Sequence, residues 1–152
     1  MNETSALQQR TEQTLDEHRQ IYFYLDQLQL TLDELAKPTV EVEAMRRLAA
    51  QIEGLKERLV SHHRSEENDG LFQAILEVLP QRRVEISRLV REHARMIEIL
   101  EMARIHAQNG SPDEVGNLCT DLRNFLDEFR DHERREDALL EEAMRRESET
   151  LT

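Results

Sequence analysis

The sequence predicts an all-α protein, an up-down-up-down antiparallel four-helix bundle. Three observations point there. The 152 residues include only four Gly and three Pro. They are rich in Leu, Glu, Arg and Gln, the strong helix formers. Apolar residues recur at helical spacing through four long segments joined by short connections, as expected for antiparallel neighbours. A chain of this length suits a single domain, residues 1–152, with one core.

The first helix is expected near 5–36, with Leu15, His18, Tyr22, Leu25, Leu28, Leu32 and Leu35 as its inward seam. Pro38 interrupts it, and Thr39 is placed to cap the next helix. The second is expected near 40–68 with a continuation to about 78, interrupted at Gly70; its seam runs through Ile52, Leu55, Leu59, His62 and Glu66. Pro80 starts the third, near 81–108, with Ile86, Leu89 or Val90, His93, Ile97 and Leu100 inward. Gly110 can end it. Ser111, Pro112 and Glu114 then form a capping signature for the fourth, near 113–147. That helix carries the cleanest seam: Leu118, Leu122, Phe125, Phe129, His132, Glu136, Leu139 and Ala143. The closing stretch RRESETLT is expected to fray.

Each seam contains a histidine, and two contain a glutamate four residues later. In the stretch LVSHHRSEEN, either His62 and Glu66 or His63 and Glu67 obey that spacing. The second pair lies about 100° round the helix axis, on a weaker stripe with Lys56 and Val60. Phase therefore selects His62 and Glu66 and leaves His63 at the edge or in solvent. Burying two carboxylates without partners costs several kcal/mol each or forces them to protonate. A set of mutually satisfied His–Glu hydrogen bonds is one explanation; a metal centre explains all six residues together. DEHRQI around His18 also echoes REHARMI around His93, and each is followed by an H-x-x-x-E helix. Two similar halves suggest two metals. Imidazole and carboxylate donors without thiolate suit iron, manganese or zinc, and glutamates at the bundle centre can bridge two cations.

The ordered set His18, His62-x-x-x-Glu66, His93 and His132-x-x-x-Glu136 resembles the hemerythrin-like family, also called the HHE cation-binding domain. The resemblance implies a cofactor of two iron ions, bridged by Glu66 and Glu136 and by an oxo or hydroxo group. It would place His18 and His62 on one iron and His93 and His132 on the other. Oxygen-carrying members have a fifth histidine four residues after the third-helix one; here that position is Ile97. The four-His, two-Glu set resembles instead di-iron members linked to iron–sulfur cluster repair and nitric oxide stress, peroxide handling or iron sensing. The expected partner is thus a small diatomic or peroxide ligand: O2, NO or peroxide. Tyr22 follows His18 as Ile97 follows His93, so both are candidate ligand-pocket residues. Tyr22 reads either as a core aromatic with one hydroxyl partner or as a phenol that meets iron or its ligand.

The remaining signals are exclusions and minor candidates. A formal net charge of −12 argues against nucleic acid and anionic membranes as partners. Cys119 is the single cysteine, which excludes an intrachain disulfide; it reads as a packing residue. No secretory signal or membrane span is visible, and a cytoplasmic location is expected. His106 reads as a helix C-terminal charge. Glu17 and Glu92 precede candidate ligands and read first as solvated helix charge, with contacts to those ligands as the alternative.

Overall fold

A computed structural model describes residues 5–37, 42–110 and 112–150. Among them the regular structure is entirely helical: α1 (Ala6–Leu35), α2 (Val42–Glu67), the short α3 (Leu71–Val78), α4 (Arg83–Asn109) and α5 (Val115–Thr150), with 3-10 turns at Pro80–Arg82 and Pro112–Glu114. The four long helices form the bundle. α1 packs on α2, α2 on α4, α4 on α5, and α5 returns to α1. Cross-links fix the antiparallel sense: Glu34 at the end of α1 meets Arg47 near the start of α2 at 2.7 Å, and Ser5 before α1 donates to Glu147 near the end of α5. The exposed Glu34–Arg47 pair adds little stability, but both contacts report direction.

The ends follow local chemistry. Ser5 caps α1, its hydroxyl accepting from the Gln8 N–H at 3.0 Å. Gly70, at φ +101°, turns the chain through the left-handed region that a side chain resists. The continuation expected after residue 68 is therefore a separate helix, α3, which folds over one end of the bundle against α1, α2 and α5. Gly110 closes α4, its N–H donating to the His106 carbonyl. His106 is exposed in the last turn of α4, in the favourable position for a basic group. The candidate caps Thr39 and Ser111, and Pro38, lie outside the described residues. The expected fraying before Thr150 is not observed: α5 runs helical through that residue, with Glu147 held by Ser5.

Burial corrects two seams. In α1, Leu15 is 42% exposed and Tyr22 37%, whereas Leu7, Thr11, Thr14, His18, Ile21 and Leu25 are buried. The inward face thus includes three threonines, Thr11, Thr14 and Thr31, and excludes two large apolar residues. In α4, Met96 takes the central position and Ile97 is only partly buried, packed against the core. The α5 seam is buried as expected, and so is that of α2.

Two apolar clusters result. The larger includes Ile21, Leu59, Met96 and Phe129; the smaller, under α3, includes Leu7, Phe72, Leu89 and Leu139. Along α1, α4 and α5 the inward histidine lies between a residue of one cluster and a residue of the other; in α2, His62 follows the first cluster and α3 supplies the second. A buried polar layer therefore separates two hydrophobic blocks that hold the helices on both sides.

Candidate metal centre

That layer contains His18 from α1, His62 and Glu66 from α2, His93 from α4, and His132 and Glu136 from α5, all 5% exposed or less. The structure brings the six sequence-selected residues together. Donor atoms of His18, His62, Glu66 and Glu136 lie within 4.8 Å of one another, and so do those of His93, His132 and Glu136. Glu136 belongs to both groups. Glu66 also reaches across, its Oε1 lying 2.6 Å from His62 Nε2 and 3.8 Å from His93 Nε2.

An outer ring of carboxylates decides how the imidazoles present themselves. Nδ1 of His62 donates to Glu17 at 2.7 Å, Nδ1 of His93 to Glu67 at 2.9 Å, and Nδ1 of His132 to Glu92 at 2.8 Å. His18 Nδ1 lies 2.8 Å from Glu133 and 3.4 Å from Asp137. A carboxylate at Nδ1 fixes the proton there and turns the Nε2 lone pair inward. Glu17 and Glu92 are therefore bound to histidines of the neighbouring helix, not solvated helix charge. Glu133, 1% exposed, and Glu67 and Asp137 were not singled out by the seams. The signal was present: each immediately precedes or follows an inward residue, so it lies on the flank that faces the adjacent helix.

The interior is consequently crowded with acceptors. His18 Nε2 and His62 Nε2 are 3.1 Å apart, and His18 Nε2 is 3.1 Å from Glu136. Both oxygens of Glu66, Oε2 of Glu136, and Nε2 of His93 and His132 are buried without a hydrogen bond. Several of these atoms nonetheless approach another acceptor, such as His132 Nε2 at 3.3 Å from Glu136; the distances are short, but the geometry is not that of a donor meeting an acceptor. Lone pairs held face to face require a positive charge between them. In the absence of a cation, protons supply it. Burial and the adjacent Glu136 charge raise the Glu66 carboxyl well above its ordinary range. Burial opposes charge on His18, but Asp137, Glu133 and Glu136 together push it up to about 12. Glu136 is held well below the usual carboxylate range despite its burial, by the Glu66 carboxyl and the histidines that converge on it. The orphaned acceptors and the nitrogen–oxygen donor set both fit divalent transition cations.

His63 departs from expectation. It is 5% exposed, and its ring stacks on His93 with centroids 3.7 Å apart and planes 4° from parallel. α3 explains the difference, because it brings Phe72 onto the same histidine at 5.7 Å and covers a flank that α2 alone would expose. Burial, then the neighbouring His93, His62 and His132, lower the His63 pKa to about 2, so it stays neutral. Among the described residues it has no hydrogen-bond partner and belongs to no group of converging donor atoms. Tyr22 sits at the bundle edge with its ring against Phe129, centroids 6.4 Å apart, and its hydroxyl finds no partner among the described residues. Burial, then Glu133 and Asp137, raise its pKa. Cys119 is buried, and that burial pushes its thiol up, as befits a packing residue.

The model of the hemerythrin HHE cation-binding domain matches residues 4–144. The chain belongs to the hemerythrin family. Its cation-binding character thus has two supports, the family match and the converging donors of the polar layer. No curated protein and no solved structure matches this hemerythrin domain. Among its described residues no helix is long and apolar enough to cross a membrane.

Proposed function

We infer that this hemerythrin-family protein is a non-haem di-iron protein that binds or reacts with a small ligand, O2, NO or peroxide. Its setting would be the handling of redox or nitrosative stress, or iron homeostasis, in the cytoplasm. The observation that carries the reading is the ring of buried acceptors around Glu66 and Glu136, with four imidazoles aimed inward by four outer carboxylates. His18 and His62 would hold one ion, His93 and His132 the other, with Glu66 and Glu136 between them. Two iron ions would supply Lewis acidity and electrons to a ligand bound in the layer.

The chain's own residues do the rest. The outer carboxylates orient the imidazoles, and the two apolar clusters exclude bulk water from both sides of the layer. Ile97 supplies no donor beside His93, which leaves fewer protein ligands there than in a five-histidine centre. Tyr22 and Ile97 are the proposed ligand-pocket side chains, one at the bundle edge and one against the apolar cluster.

A second reading, an O2, NO or iron sensor without turnover, is favoured by the same orphaned acceptors. They make the stability of the layer depend on the cation, and ligand-linked stability is what a sensor requires. Metal analysis of protein purified from iron-replete cells tests both readings: about two irons per chain is expected, and well under one would refute them. Spectra of the reduced protein mixed with O2, NO and hydrogen peroxide then separate them. Repeated peroxide consumption identifies an enzyme, and stable adducts without turnover identify a sensor.

A further inference from the structure

The two halves of the centre are related by a pseudo-twofold that pairs His18 with His93, His62 with His132, Glu66 with Glu136, Glu17 with Glu92 and Glu67 with Asp137. One pair breaks it. HHRSEE at 62–67 aligns with HERRED at 132–137, so His63 occupies the place of Glu133. Behind His18, Glu133 is a buried carboxylate 2.8 Å from Nδ1. Behind His93, the equivalent group is a neutral ring stacked on the imidazole.

Charge amplifies the break. The His18–His62 half is backed by Glu133, Asp137 and Glu17, and among the described residues no lysine or arginine pairs with any of the three. The His93–His132 half is backed by Glu67 and Glu92. Arg135 offsets one of those charges, its guanidinium donating to both oxygens of Glu92 at 2.8 and 2.9 Å. The formal charge behind the first pair is thus −3; behind the second it is −1, and Arg88, 3.7 Å from Glu92, reduces it further. The converging donors are unequal as well: four atoms, from His18, His62, Glu66 and Glu136, against three, from His93, His132 and Glu136.

We propose that the two cation positions are ranked: the His18–His62 position fills first and binds more tightly, and the His93–His132 position fills last and empties first. The ranking rests on the cation-binding reading above. The charge and the number of converging donors act in the same direction. An imidazole backed by an anion is the better donor, and such outer partners alter metal affinity by about 10- to 100-fold. A lower cation supply therefore gives a one-ion form rather than a mixture of filled and metal-free protein.

Zinc(II) is a redox-silent probe of this order. Titration calorimetry of the metal-free full chain should resolve two steps differing about tenfold or more in affinity. Anomalous diffraction from crystals loaded with one equivalent should place the ion beside His18 and His62. Glu133→Gln should weaken the first step about tenfold and leave the second. Arg135→Gln, on the half-exposed side of Glu92, should tighten the second step and leave the first, and it provides the test if Glu133→Gln does not fold. Two equal steps, a first ion beside His93 and His132, or variant effects on the opposite steps would overturn the ranking while leaving the cation-binding reading intact. No zinc bound at either position would overturn both.

Discussion

Replacing Glu66 by methionine should make the metal-free protein more stable, although Glu66 lies at the centre of the bundle. Its side chain is fully buried, and neither carboxylate oxygen has a hydrogen bond. A buried polar group left in that state costs about 1–3 kcal/mol. Methionine is unbranched and of similar length, so Glu66→Met removes that cost without opening a large cavity. Exchanging buried ionic groups for apolar ones of like volume stabilises other proteins by a similar amount, about 1–4 kcal/mol. For a chain of this size each kcal/mol moves the melting temperature by roughly 2–4 °C. A gain of about 1–3 kcal/mol is thus a rise of roughly 2–12 °C.

A saturating cation should reverse the order. Metal that binds only the folded wild type adds about 2.7 kcal/mol at a concentration one hundred times Kd, and the variant has lost a donor. Calorimetric melts of both proteins in chelator and in excess zinc(II) read all four states. If Glu66→Met melts below the wild type in chelator, Glu66 is a satisfied member of a structural His–Glu network, and the argument from orphaned acceptors fails.

His62→Ala should lose metal, whereas His63→Ala should keep two ions per chain while losing about 2–4 kcal/mol of stability for the buried, stacked ring; metal analysis and denaturant titration of the two variants read both. If the His63 variant comes out empty, the register of α2 is misassigned. In metal-free protein the acid side of the stability profile should also carry His63. Its folded pKa of about 2 lies below the unfolded value near 6.5, so its contribution is present above pH 6.5 and lost as pH falls, by about 1.4 kcal/mol per pH unit. The stability difference between wild type and His63→Phe should fall over that window, and a flat difference would refute the assignment.

The sequence announced the polar layer most clearly where hydrophobicity and burial agree. α5 has one stripe from Leu118 to Ala143, broken only by His132 and Glu136, and all of it is buried. α1 offered two stripes that share His18 and Leu25. The more apolar one runs through Leu15 and Tyr22; the one observed runs through Thr14 and Ile21. Phase taken from hydrophobicity chose the wrong one, because the interior beside a polar layer accepts threonine and the bundle edge accepts an aromatic. His63 was misplaced for a different reason. Its burial comes from its stacking on His93 and from α3, and no periodicity within α2 contains either fact. The outer carboxylates were readable only after the neighbours were known, since Glu17 serves His62 and Glu92 serves His132, each on the next helix in the chain.

The position of the layer bears on how cation and fold are coupled. Were the six residues at one end of the bundle, loss of the ions would fray that end and leave the rest. Here apolar blocks lie on both sides; α1, α4 and α5 contribute to both, and α2 contributes to one and leads into α3, which contributes to the other. The cost of facing acceptors without a cation is therefore borne by helices anchored above and below, which cannot separate locally without disturbing either block. Protonation of Glu66 and His18 lowers that cost. Cation binding must displace those protons. Metal loading, proton release and the tightness of the layer thus become one linked equilibrium, and the unequal charge behind its two halves determines which ion controls it.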